Sequence, residues 1–148
     1  MMTAKIIQVK TDEDLKRCLA IRKEVFVVEQ LVPEDLEYDE YDTVDGKAYH
    51  VLLEDEGQAV ATGRLIIYHE HMAKMQRIAV AKSHRGLGYG SVLLVALEQI
   101  ATDLGLSDSI LDAQCQAEQF YGKLGYEVIS EEPFYDAGIL HVRMKKPL

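Results

Sequence analysis

At 148 residues with 48% hydrophobic composition, the chain is long and apolar enough for one folded domain over 1–148 with a sizeable core, which excludes intrinsic disorder. A formal net charge of −9 speaks against nucleic acid as a general partner and favours cationic or amine ligands. No apolar run approaches the roughly 18 residues of a membrane span. The first residues lack a signal-peptide core, and Cys18 and Cys115 make no metal or redox spacing, so a cytoplasmic chain with reduced thiols and no membrane partner is expected.

Lys5 to Lys10 reads as a first strand, with Ile7 and Val9 on one face. Thr11 is a plausible N-cap, and Asp12, Glu13 and Asp14 fill a first turn where the helix dipole favours carboxylates. Leu15, Cys18, Leu19, Val25 and Phe26 follow at helical spacing, and Arg22 lies on the same stripe. A buried charge is costly unless paired, so Arg22 is expected to meet a carboxylate or reach a ligand. The alternative is a stem lying flat with its head in water. The helix ends over Val27 to Gln30, ahead of Pro33.

Glu34 to Asp45 holds seven acids and no Lys or Arg. It lacks the calcium-loop pattern and reads as a solvated loop, with an acidic rim near an acceptor site as the functional alternative. Ala48 to Glu54 and Ala59 to Tyr68 form a hairpin around Asp55-Glu56-Gly57. His69-Glu70-His71 reads as a turn, since no third local ligand makes it a metal site. Lys74 to Val80 is a strand, and a helix spans about Gly88 to Leu104 until Gly105 stops it. Ser109 to Ala113 is a strand and Gln116 to Leu124 a short helix. Glu127 to Ser130 and Ile139 to Met144 are closing strands, the last a candidate edge for pairing in a homodimer. The order predicts an α/β domain with a mixed sheet.

The chemistry concentrates at His84-Arg85-Gly86-Leu87-Gly88-Tyr89-Gly90. Glycines let a backbone approach a ligand closely, and the free N–H groups of a helix start favour an anion. Arg85 adds a planar fork suited to phosphate. A Walker A loop is excluded because no Gly-Lys-Ser/Thr is present. The dinucleotide fingerprint is excluded because Ser91 stands where Gly or Ala is required and five residues separate Val80 from Gly86.

What fits is Arg/Gln-x-x-Gly-x-Gly/Ala after a strand ending Ile78-Ala79-Val80, which resembles the coenzyme A site of the GNAT superfamily of acyl-CoA N-acyltransferases. Tyr121-Gly122-Lys123-Leu124-Gly125-Tyr126 resembles that superfamily's second motif, Tyr-x-x-Leu-Gly-Phe/Tyr. Val25 to Gln30 and Gly138 to His141 resemble its ElaA/YjcF-like branch.

The resemblance implies a mostly antiparallel central sheet flanked by helices, with strands at 75–80 and 109–114 splayed at the cofactor site. Pantetheine would pair with the backbone at Ile78, Ala79 and Val80 as an added strand. The pyrophosphate would sit on the N–H groups of Arg85, Gly86, Leu87, Gly88, Tyr89 and Gly90, with side chains at 87 and 89 free to vary. Gln114 stands where many members have Asn. The implied activity is N-acetylation of a primary amine, small or peptidic, by acetyl-CoA, without a metal. Tyr121 would protonate the leaving sulfur. Many members place a glutamate base where this chain has Gln76, which leaves water, Glu29 or His141 for that role. The alternative is a module that binds acyl-CoA without turnover. The sequence does not name the acceptor.

Overall fold

A computed structural model describes residues 4–148, and every structural statement below concerns those residues. Strand β1 (Ala4–Gln8) leads into α1 (Asp12–Arg22), whose start is fixed by Thr11: its hydroxyl accepts from the Asp14 N–H at 3.2 Å. The helix then widens into a π-helical segment, Lys23–Glu29, where α-helical spacing was expected to continue. Such segments are rare and cluster at functional sites. A one-turn helix α2 (Glu34–Glu37) follows inside the acidic stretch.

Next come β2 (Tyr49–Asp55), β3 (Gln58–Tyr68) and β4 (Met72–Val80), joined by tight turns; His69 and Glu70 hold positive φ in the second. Helix α3 (Tyr89–Asp103) precedes β5 (Asp108–Gln114). A 3₁₀ turn, Cys115–Ala117, opens into α4 (Glu118–Lys123), shortening the helix expected from Gln116. Strands β6 (Glu127–Val128), β7 (Phe134–Asp136) and β8 (Ile139–Pro147) end the chain. Strand β7 was not anticipated, and β6 stops two residues short of the expected Ser130.

The sheet order is β1-β2-β3-β4-β5-β8-β6, with β7 also on β8. Strand β8 therefore has β5 on one side and β6 and β7 on the other. This corrects the expectation of an edge at 139–144 open to a homodimer partner. Alternate residues of β2 face opposite layers, as strand periodicity dictates. Val51 and Leu53 pack in the core with Leu93, Leu94 and Leu97 of α3, while Leu52 packs with Cys18, Ile21 and Val25. No helix is long and apolar enough to cross a membrane.

Only β4 and β5 run parallel, and their pairing covers just Met72–Met75 against Asp108–Leu111. Beyond that point they fork. A β-bulge accompanies the fork: Arg64 lies opposite Gln76 and Thr62 opposite Ala79, so β4 holds one residue more than β3. Arg77 sits in that bulge with φ 57°. A bulge bends and twists its strand, which here turns the end of β4 away from β5.

Candidate active site

A cavity of about 640 Å³ opens at the fork. Ile78, Ala79, Val80 and Arg85 line one wall; Gln114 and Tyr121 line the other. Past Met75 no strand pairs with this edge of β4, so its amides and carbonyls there have no sheet partner.

The glycine loop leads from β4 into α3. Gly86 has φ 77° and Gly88 φ 88°, a region that disfavours any side chain. Gly88 caps α3 without a side-chain hydrogen bond, leaving the first-turn N–H groups for another acceptor. A Cβ at Gly90 would lie 3.1 Å from the Phe120 ring, so this glycine lets α3 and α4 approach. Leu87 is exposed, as a position free to vary should be, but Tyr89 is 5% exposed and belongs to the core. The expectation that side chain 89 is unconstrained is thereby corrected.

Arg85 turns back across the edge of β4. Its Nε donates to the Val80 carbonyl at 2.9 Å, and its two terminal nitrogens reach the Glu29 carboxylate at 2.8 and 3.1 Å. Glu29 is thus held by a bidentate ion pair and does not line the cavity. That contact occupies both carboxylate oxygens outside the cavity lining and weakens its candidacy as a base.

Tyr121 lines the cavity, edge-on to Phe120 at 5.1 Å and Tyr126 at 6.0 Å. Its side chain makes no hydrogen bond among the described residues. Burial pushes its phenol up to about 12. His141 also lines the cavity, stacked on Phe134 with ring centroids 6.1 Å apart. Its Nδ1 is 2.7 Å from the Ile139 carbonyl. A carbonyl only accepts, so Nδ1 carries the proton and Nε2 of the neutral ring keeps its lone pair. Across the cavity mouth, Gln114 Nε2 donates to Gln30 Oε1 at 2.8 Å, tying the tip of β5 to the end of the π-helical segment.

The acidic stretch is where the sequence expectation is overturned in part. Arg22, 1% exposed, donates to Glu37 at 2.8 Å and to Asp42 at 2.6 Å. Arg64, equally buried, donates to Asp42 at 2.8 Å and to Asp39 at 2.7 Å. Arg77 reaches Glu37 at 3.2 Å from the bulge. Tyr38 and Tyr41 rings lie 5.6 and 5.5 Å from the Arg22 and Arg64 guanidiniums. Three guanidiniums thus meet three carboxylates and fasten the stretch as a strap over β3 and β4, while Glu34, Asp35, Glu40 and Asp45 are exposed, as expected of a solvated loop. Arg22 meets carboxylates, as the cost of an unpaired buried charge requires. Burial opposes ionisation of Asp39 and Asp42, yet the guanidiniums of Arg64 and Arg22 outweigh it and hold both carboxyls below the usual range. Burial pushes Glu37 up, with Arg22 and Arg77 offsetting only part of that rise.

Gln76 continues this network, accepting from Arg64 Nε at 3.1 Å while lining the cavity. Sequence reasoning missed Glu37 and Asp136 as lining residues. A hydrophobic residue on each side of Asp136-Ala137-Gly138 was a hairpin signal that would have found the second.

A family model, the acetyltransferase (GNAT) domain, matches residues 6–148. The uncharacterized N-acetyltransferase YjcF of Bacillus subtilis is 43% identical over 142 residues, covering 96% of this chain and 99% of that protein. An acyl-CoA N-acyltransferase structure from Pseudomonas aeruginosa matches with a TM-score of 0.82 at 29% identity, covering 98% of this chain and 99% of that one. Escherichia coli ElaA shares the fold, with a TM-score of 0.84 at 24% identity over 99% of both chains. The forked strands, the glycine-opened helix and these likenesses agree: the chain belongs to the GNAT family of acetyltransferases, with YjcF among its relatives and ElaA among the structures that share its fold.

Proposed function

We propose that this chain transfers an acetyl group from acetyl-CoA to a primary amine. The observation that carries the reading is the edge of β4 that no strand covers, Ile78 to Val80, running directly into a glycine-opened helix start with Tyr121 across the cavity. The residues fit coenzyme A. An extended amide-bearing arm can add to the β4 edge as a strand, and a diphosphate suits the N–H groups from Arg85 to Gly90. Arg85 can exchange Glu29 for phosphate. Gln114 stands at the far wall, beside the place an acyl thioester would reach.

In this reading the amine nitrogen attacks the thioester carbonyl, the C–N bond forms and the C–S bond breaks. A backbone N–H of β4 stabilises the oxyanion. His141 Nε2 receives the amine proton, the role supported by its lone pair and its place in the cavity. Tyr121 gives its proton to the departing sulfur. A phenol near 12 is a weaker acid than a free one, so it works by closeness to the sulfur and not by a depressed pKa. Glu29 becomes a second base only once Arg85 leaves it.

Gln76, which cannot accept a proton, favours a second reading in which acyl-CoA is bound without turnover. Thiol release from acetyl-CoA across an amine panel separates the two. Release that depends on an added amine supports the transferase; coenzyme A binding with no release for any amine supports the binding module.

A further inference from the structure

Six charged side chains line the cavity: Glu37, Lys74, Arg77, Arg85, Asp112 and Asp136. Five are compensated. Glu37 pairs with Arg22 and Arg77. Asp112 takes a bidentate contact from Arg143 at 2.8 and 3.1 Å, with Lys74 at 3.7 Å. Arg85 is held by Glu29. Asp136 alone among them makes no ion pair or hydrogen bond with the described residues, and it is exposed at the rim. The carboxylate that the cavity offers a ligand without a protein countercharge is therefore Asp136, and not one from the acidic strap.

The hairpin fixes where that charge stands relative to the chemistry. In the β7–β8 register Phe134 lies opposite His141 and Asp136 opposite Ile139. Residues two apart on a strand face the same way, so Asp136 and Ile139 share the side that carries Phe134 and His141. Asp136, Ile139 and His141 all line the cavity, which identifies that side as the inward one. The spacing from the His141 pair to the Asp136 pair is two strand steps, about 6.6–6.8 Å.

We infer that Asp136 selects the acceptor by holding a second positive charge on it, so that the substrates are diamines or amine-bearing cations whose two nitrogens lie about two strand steps apart. The inference rests on the transferase reading for the place of the reacting nitrogen at His141. The two nitrogens of such a substrate have opposite needs. The near one must be neutral to attack. The far one stays protonated, and a carboxylate without a countercharge is its natural partner. A monoamine leaves Asp136 to water, and an acceptor carrying a carboxylate at that distance is repelled.

The test measures binding and turnover separately. Cadaverine, the five-carbon diamine, and n-pentylamine are titrated calorimetrically into the full chain with coenzyme A present, for the parent, Asp136→Asn and Asp136→Glu. The exposed carboxylate makes no hydrogen bond or ion pair with the described residues, and the backbone pairing of Asp136 with Ile139 does not depend on it, so the isosteric change to Asn leaves the hairpin intact. The parent should bind cadaverine about three- to fivefold tighter than pentylamine, the upper part of the range of a solvent-accessible ion pair. Asp136→Asn should bring the ratio close to one, and Asp136→Glu should restore a preference. Equal ratios in parent and Asp136→Asn overturn the inference. A preference that depends on Asp136 without thiol release from acetyl-CoA keeps Asp136 as the cation site and overturns the transferase reading. Thiol release without that preference does the reverse.

Discussion

Asp42→Asn tests the strap most directly. Asp42 is at the centre of the network: Oδ1 accepts from Arg22 at 2.6 Å and from Arg64 at 2.8 Å, and Oδ2 accepts from Arg22 at 3.0 Å and from the Asp39 N–H at 2.9 Å. Its side chain is 6% exposed and both arginines are 1% exposed. Asparagine keeps the shape but offers one oxygen, and its NH₂ then faces guanidinium donors. Three guanidiniums are left against two carboxylates. Removing one partner of a buried pair costs about 3–5 kcal/mol, a large share of a total stability of about 5–15 kcal/mol. For a chain of this size that is a fall in Tm of roughly 6–20 °C. Circular-dichroism melts and urea titrations measure it. Glu34→Gln is the control, since it removes the same charge from the same stretch where the contact to Lys23 is 3.8 Å and more than half exposed. That pair is worth at most about 1 kcal/mol. If Asp42→Asn melts within a degree or two of Glu34→Gln, the arginines find other partners and the strap is not held as described.

Acid should unfold the protein steeply. Asp39, Asp42 and Asp112 have folded pKa values below their unfolded ones, so their stabilisation is full above about pH 4 and is lost as pH falls through the folded values, which melts across a pH series will show. Tyr121→Phe should lower kcat by about 10²–10⁴-fold with coenzyme A affinity nearly unchanged; a change of only a few-fold makes the tyrosine a packing ring. Because its phenol sits near 12, the parent's rate should show no loss from Tyr121 ionisation through neutral and mildly alkaline pH. Arg85→Gln should weaken coenzyme A roughly tenfold by calorimetry, the worth of one charge-assisted hydrogen bond of about 1.5 kcal/mol, and an unchanged affinity would assign Arg85 to Glu29 alone.

The local elements were legible because their signals are local. Thr11 with its three acids, the turn at Asp55-Glu56-Gly57 and the glycine-opened helix each declare themselves within a few residues. Ile78, Ala79, Val80, Arg85, Gln114, Tyr121 and His141 were named from sequence and all line one cavity, whereas Gly86 to Gly90, named with them, are not among its lining residues. What failed was pairing at a distance. Glu37, Asp39 and Asp42 read as solvated along with the four exposed acids of their stretch, since Arg22, Arg64 and Arg77 come from elements 15 to 40 residues away. Glu29 looked available because its partner Arg85 lies 56 residues on. The π-helical segment was hidden because a period of 3.6 and a slightly wider turn place Val25 and Phe26 on nearly the same face. Strand β7 is three residues long, too short for an alternation to show.

The fork between β4 and β5 separates two kinds of heredity. Whatever lies along the open edge of β4 meets peptide groups, which every residue supplies alike. Exchanging Ile78 for Val, or Val80 for Ile, alters none of those groups, so that wall can drift in sequence and keep its partner. The opposite rim is built from side chains, Asp136 and His141 among them, on a hairpin with a two-residue turn at its tip. A single codon there changes what the cavity meets. Lineages sharing this architecture can therefore diversify one half of the site while the other half stays constant, with no compensating change required between them.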